Sequence, residues 1–221
     1  IHFIHGPVDI LDHASPACAY GSKMGIDATL KLPQEKPAGD PAGPESSPDP
    51  WQVNRKDILG HFPEIKGINP ELPGDGISAI ILAVRKTGKD AIRRLARELL
   101  SRGYIRHVKF LVFVDEAAGE LPLPDIVWIS ANNIDPARDC FYAGNDRGED
   151  FHTLCIDGTG KSKELDGFQR KWPSVIVMDD KTIGTVDEKW PTLGLGPVVP
   201  SPSLKYKRLI TSDGAIARED F

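Results

Sequence analysis

The sequence predicts an α/β fold, a three-layer domain on a mixed, partly parallel sheet. Residues 77–85 (ISAIILAVR) and 108–115 (VKFLVFVD) are nearly uninterrupted apolar, β-rich runs, the pattern of strands covered on both faces. Between them, residues 87–102 place Ile92, Leu95, Ala96 and Leu99 on one helical face, with Thr87 as cap and Gly103 as stop. A strand, a helix and a strand in this order imply a right-handed crossover and parallel pairing.

The remaining elements follow in chain order. Residues 1–6 alternate apolar side chains with His, as in a strand already under way, and no initiator Met precedes them. The expectation is a piece of a longer protein, cut near a strand start. Residues 33–50 hold six prolines in eighteen positions, which excludes both helix and central strand and reads as a linker. Residues 51–61 read as a short helix, with Asp49 as N-cap and Pro50 at the first helical position. A helix starts near residues 124–129, CFYAG (140–144) is a third strand, SVIVM (174–178) an edge strand, and residues 179–190 a helix capped by Asp179. The expected organisation is therefore 1–32 as the tail of a first domain, 33–50 as linker, 51–190 as a complete α/β domain, and 191–221 as a Pro/Gly-rich tail.

Composition narrows the function. With 27 Lys plus Arg against 32 Asp plus Glu, the formal charge is -5, which argues against a dedicated nucleic-acid binder. No apolar run approaches the roughly 20 residues that a membrane-spanning helix needs. Cys18, Cys140 and Cys155 form no disulfide framework, so the expected location is cytoplasmic, with reduced thiols.

The chain also repeats itself. GIDATLK (25–31) and CIDGTGK (155–161) share I-D-x-T-x-K at an offset of 130, and a short strand ending in Gly precedes each. The reading is two copies of one domain ending, the first lacking its own core within this sequence.

Other motifs admit plain readings. GTGKS (158–162) suggests a phosphate loop, but Cys155 stands where its first Gly belongs, and Gly167 and Pro173 interrupt any long helix behind it. His2, His5, His13 and Cys18, or His152 with Cys155, lack the spacing of a closed metal site. Lys89, Arg93, Arg94, Arg97, Arg102 and Arg106 form a basic helix face, either solvated or facing an anionic partner. Asp115 and Glu116 end a strand at the sheet edge where α/β folds gather ligands, but sequence assigns them no acid–base partner.

HGPVDILDHASPACAYGSKMGIDATLK (5–31) resembles the C-terminal signature of UbiD-type decarboxylases, P-[IV]-D-x-L-D-x-A-S-P followed by G-S-K-M-G-[IL]-D-A-T. FPEIKGINPELP (62–73), the two apolar strands and DIVWISANNIDPARD (125–139) resemble the same family's C-terminal domain in its usual order. The second ending keeps Asp157, Thr159 and Lys161 but lacks the G-S-K-M-G lead-in.

The resemblance implies a parent carboxy-lyase that uses prenylated FMN to remove or add CO2 on aromatic or α,β-unsaturated acids, as in quinone biosynthesis. It assigns the flavin, a divalent metal, potassium and the catalytic residues to a preceding domain. No catalytic, cofactor-binding or metal residue is therefore carried over. Lys23, Asp27, Thr29, Lys31, Asp157, Thr159 and Lys161 are family-motif positions of unassigned role. The implied partners are the preceding flavin domain and further copies of the chain in a homo-oligomer, with no nucleic acid. The expected role is a structural and oligomerisation part, inactive alone; the alternatives are a pure interaction module or a nucleotide-binding α/β domain. Residues 1–31 should dock on the second copy, either of the same chain or of a partner chain in a two-fold dimer, by strand addition at a sheet edge, burying Ile10, Leu11, Met24 and Ile26.

Overall fold

The structure is a computed structural model describing residues 1–27, 29, 32, 34, 53, 55–106, 108–144, 152–211 and 216–217. The linker 33–50 and the caps Asp49 and Pro50 lie, apart from residue 34, outside the described residues. Two compact units make up the chain, Ile1–Arg170 and Lys171–Phe221, so residues 171–190 belong with the second.

The first unit contains strands β1 (His2–Pro7) and β2 (Tyr20–Gly25), helix α1 (Arg55–His61), strand β3 (Ile65–Asn69), and helix α2 (Glu71–Gly74). Strand β4 (Ala79–Val84), helix α3 (Ala91–Ser101), strand β5 (Phe110–Asp115), and helices α4 (Leu123–Asn132) and α5 (Pro136–Asp139) follow. Strands β6 (Cys140–Gly144) and β7 (His152–Asp157) and helix α6 (Lys163–Asp166) complete it. The main sheet has the order β3-β4-β5-β7-β6, with β4, β5 and β7 parallel and the edges β3 and β6 antiparallel. This is the mixed, partly parallel α/β sheet that the sequence predicts.

Strand β4 is buried at every residue, as its unbroken apolar run requires. One face packs Ile80, Leu82 and Val84 with Leu111, Phe113 and Cys155 against Ile58 of α1 and Ile92, Leu95 and Leu99 of α3. On β5 the expected burial of Phe110 and Val112 is corrected: both are half-buried, while Leu111 and Phe113 on the opposite face are fully buried. The period of two puts Phe110, Val112 and Val114 on one face, which is only partly covered at Phe110 and Val112 and closed at Val114, 0% exposed. A 3-10 turn at Ala118–Glu120 packs so closely on β4 that a Cβ at Gly119 would lie 2.2 Å from that of Ala83. Only glycine fits there.

Helix α3 ends before Gly103, at φ 74, as expected, but begins at Ala91 rather than after Thr87. Residues 88–90 form a turn in which Asp90 takes φ 53, and its side chain makes no cap.

The hairpin β1–β2 is a separate two-stranded sheet, which corrects the expected strand addition within the same chain. It attaches by polar contacts. Asp135 accepts from Ser22 N at 2.8 Å and Ser22 Oγ at 2.7 Å, and Ser22 Oγ accepts from Ala137 N at 2.8 Å. Arg138 donates to Ala14 O at 2.8 Å, and Arg170 to Ser15 Oγ at 2.8 Å. A Cβ at Gly21 would meet Asp135 Oδ2 at 2.8 Å, so the approach needs this glycine. The expected apolar burial also fails: Ile10 is 67% exposed, Leu11 85% and Ile26 49%, while Met24 is half-buried. Charge-assisted bonds to one buried carboxylate hold the hairpin where hydrophobic contact was expected.

The second unit holds strand β8 (Val177–Met178), helices α7 (Asp180–Lys189) and α8 (Ser203–Tyr206), and strand β9 (Ile216–Ala217). The expected edge strand at 174–178 shrinks to β8, which pairs in parallel with β9 and not with the main sheet. Asp179 caps α7 as expected, accepting from Thr182 N at 2.6 Å.

Candidate functional site

Parallel strands deliver their C-terminal ends to one edge of the sheet, where α/β folds gather ligands. Lys86 after β4, Asp115 ending β5 and Asp157 ending β7 meet there, joined by Asp139 from α5 and by Asp166 from α6. A cavity of about 320 Å³ opens among Lys86, Arg93, Arg138, Asp139, Lys161 and Asp166.

The motif after β7 builds the centre. Asp157 Oδ1 accepts from Thr159 N at 3.0 Å and from Thr159 Oγ1 at 2.5 Å, the Asx turn that Asp favours. Gly160 N donates to Asp115 Oδ2 at 2.8 Å. Lys161, 4% exposed, turns inward and donates to Thr159 O at 2.5 Å and Asp157 O at 3.0 Å. Its ammonium also lies 3.4 Å from Asp157 Oδ1 and 3.7 Å from Asp139 Oδ1. Lys86 closes the other side, donating to both Asp166 oxygens at 2.8 Å and to Gly160 O at 2.6 Å. Arg138 holds Asp139 with bonds of 2.7 and 2.6 Å.

Burial raises the pKa of Asp115 above its ordinary 3.8, against the lowering effects of the Gly160 amide, Lys86 and Lys161. Burial likewise raises Asp139, against the pull of Arg138 and Lys161. Burial pushes the Cys140 and Cys155 thiols up to about 12, so neither is a thiolate nucleophile near neutral pH.

A test follows from Asp115. Its raised folded pKa means that the folded state holds the proton more tightly than the unfolded state does. That stabilising contribution is complete below pH 3.8 and is lost as pH rises through the raised value. Asp115→Asn keeps an acceptor for Gly160 N without the titration. The variant should therefore gain stability relative to the parent between about pH 4 and pH 7, read as the difference in urea midpoints. A difference flat across that range would refute the assignment.

The seven motif positions divide. Asp157, Thr159 and Lys161 converge in the cluster; Asp27 and Thr29 form an exposed turn, Lys23 is exposed, and Lys31 lies outside the described residues. Of the pair singled out at the strand end, Asp115 is in the cluster, whereas Glu116 pairs with exposed Arg85. Along the basic face, Arg93 stacks on Phe141, Arg94 meets Glu64 and Arg102 meets Glu98. Sequence reading missed Lys86, Asp135, Asp139 and Asp166. The last three carry the helix-start spacing of turn residues, and Lys86 lies two residues beyond Val84, the end of an apolar strand.

Chemically the cluster is a clasp, because its charges satisfy one another. A phosphate loop would aim backbone amides and its Lys outward, whereas Lys161 is committed to its own loop and α6 is only four residues long. The cavity does not fit a flavin: most of its lining side chains are charged, with Lys86, Arg138 and Lys161 paired to Asp166, Asp139 and Asp157, and an isoalloxazine ring needs flat apolar walls. Among the described residues no group of three His, Cys, Asp or Glu is placed to hold a metal ion. None of the helices described is long and apolar enough to cross a membrane.

No family model matches the chain. It is 31% identical over 189 residues to an uncharacterized protein of Helicobacter pylori, covering 83% of this chain and 27% of that one. A second uncharacterized relative, from Aquifex aeolicus, is 28% identical over 150 residues, covering 62% and 30%. The chain thus spans under a third of the length of either relative. Among solved structures it is similar to vanillic acid decarboxylase of Sedimentibacter hydroxybenzoicus in closed form, with 16% identity, a TM-score of 0.47, and coverage of 64% of this chain and 31% of that one. It is also similar to the UbiD-class enzyme HmfF from Pelotomaculum thermopropionicum in complex with prFMN, with 17% identity, a TM-score of 0.39, and coverage of 52% and 25%.

Proposed function

We propose that this chain is a C-terminal part of a UbiD-type carboxy-lyase, a structural and assembly element with no decarboxylase activity of its own. The observation that carries the reading is the duplicated ending. Strand, return strand and I-D-x-T turn occur twice, with Thr N to Asp Oδ1 at 3.0 Å in each copy and Thr Oγ1 to Asp Oδ1 at 2.6 Å in the first and 2.5 Å in the second. The first copy carries the G-S-K-M-G signature on β2 itself. In this reading the prenylated FMN, its divalent metal and potassium belong to a separate flavin domain, which is the partner, in a cytoplasmic homo-oligomer.

A pure interaction module is the second reading, favoured by the exposure of Ile4, Ile10 and Leu11 on and beside the hairpin. Size exclusion separates the two. The chain alone should stay colourless after incubation with prenylated FMN and release no CO2 from 4-hydroxybenzoate, because a site needs its contacting residues in place. It should co-elute with a UbiD-type flavin domain. A yellow, flavin-loaded chain would overturn the inactive-part reading, and failure to associate with any such domain would leave the interaction module.

A further inference from the structure

The two endings differ in what lies beside them. In the second, β7 gives its outer edge to β5: Leu154 N donates to Lys109 O at 2.9 Å and Gly158 N to Phe113 O at 2.8 Å. The register is parallel, Phe110 opposite Leu154, Leu111 opposite Cys155 and Val112 opposite Ile156. In the first, β2 is the counterpart of β7 at the offset of 130, and β1 holds it as β6 holds β7. Gly25 lies opposite His2, and its counterpart Cys155 opposite Phe141.

Ser22 turns its amide away from β1 and onto Asp135. Strand geometry repeats every two residues, so Met24 turns its amide the same way, and Ile26 follows directly after the strand ends at Gly25. The counterpart of Met24 is Leu154, the residue whose amide is taken at the start of β5. Among the described residues no strand pairs with β2 on that side. Burial follows the same contrast: Leu154 is 2% exposed, whereas Met24 is half-buried, and Ile156 is half-buried whereas Ile26 is exposed. Asp135 does not block the edge, because it occupies Ser22, two residues before the first position that β5 would pair.

We propose that the free edge of β2 binds a parallel β-strand from a partner segment with the chemistry of β5, apolar on both faces, in the register of β5 on β7. The proposal rests on the reading of a duplicated ending and names what completes the first copy. The faces of the hairpin fit it. Phe3 and Met24 stand opposite each other on one face, and Ile4 and Lys23 on the other, beside Gly25. An apolar side chain opposite Met24 would cover Phe3 and Met24, and one opposite Gly25 would cover Ile4. Backbone bonds along the edge supply affinity, and the alternate side chains set register.

The probe is a peptide with the sequence of residues 108–116, VKFLVFVDE, carrying a solubilising lysine tail, added to the full chain. Amide exchange at Met24 and Ile26 should slow at least about tenfold, as for newly hydrogen-bonded strand amides. Register is read by disulfide formation in a Cys18→Ser, Met24→Cys chain: a peptide with Cys in place of Phe110 should cross-link, and one with Cys in place of Val114 should not. Unchanged exchange at saturating peptide, protection at β3 or β6 in place of β2, or equal cross-linking of both peptides would overturn the proposal. A chain that co-elutes with the flavin domain while its Met24 amide stays unprotected by peptide would keep the proposed function and sink the strand.

Discussion

Leu99→Ala is expected to lower the unfolding free energy of the first unit by about 2–5 kcal/mol, the range for deleting three buried carbons from a packed core. Leu99 is fully buried on the face of α3 that carries Ile92 and Leu95, packed in one cluster with Leu82, Leu111 and Phe113 of the sheet. Strands β4 and β5 hold that wall in place by six paired positions, so the site has little freedom to collapse around the missing atoms. Arg97 lies on the same helix but is exposed, and Arg97→Ala should stay within about 0.5 kcal/mol. Urea unfolding of both variants decides it. A Leu99→Ala loss no larger than that of Arg97→Ala would mean that the apolar stripe of α3 does not face the sheet.

That stripe was legible because local pattern and tertiary role agree: a helix with Ile92, Leu95 and Leu99 on one side has one way to bury them. β4 was legible for the same reason, since its unbroken apolar run of six is explained only by cover on both faces; β5, five apolar residues ending at Asp115, was legible as a strand although one of its faces is only partly covered. β3 was not, because Ile65–Asn69 is an edge strand of five residues with Lys66 and Gly67 inside it and an irregular register between Ile65 and Gly67. Its pairing is fixed by β4 rather than by its own pattern. β7 was hidden for another reason. Its last residues form the I-D-x-T motif, which drew the reading to chemistry before the strand in front of it.

The clasp was half legible. Asp157, Thr159 and Lys161 share one short motif, and their bonds are local. Lys86 with Asp166, and Lys161 with Asp139, are partners separated by 80 and 22 positions (166 − 86 and 161 − 139), which no spacing rule reports. The docking of the hairpin was misread on energetic grounds. Hydrophobic side chains were expected to decide it, yet one carboxylate, Asp135, accepts two bonds from Ser22 while Ile10 and Leu11 stay in solvent. An attachment made of polar contacts at defined positions leaves the apolar side chains of the hairpin available to a partner.

The ammonium of Lys161 is buried and held by carbonyls and carboxylates, so removing it should have a large electrostatic effect. Lys161→Met keeps the aliphatic stem and removes the charge, so the carbonyls of Asp157 and Thr159 lose a donor and Asp139 loses a counter-ion at 3.7 Å. Breaking a buried pair from one side costs up to about 3–5 kcal/mol, and the loss here should fall toward the low end because Arg138 still holds Asp139. Removing both sides is far cheaper, so Lys161→Met with Asp139→Asn should recover part of the loss, and the double-mutant cycle should show coupling. Acidity should act in the same direction. Burial already raises the pKa of Asp139, and Lys161 is one of the groups pulling it down. Without Lys161 the folded-state value rises further, so the folded variant takes up a proton at a higher pH than the parent does. The deficit of Lys161→Met is therefore expected to be largest near neutral pH and to shrink as pH falls through the raised pKa of Asp139, on the side where the proton replaces the ammonium. Urea midpoints of parent, single and double variants across that range measure it. A deficit that stays constant with pH, and that Asp139→Asn leaves unchanged, would mean that Lys161 holds its loop through the two carbonyls alone.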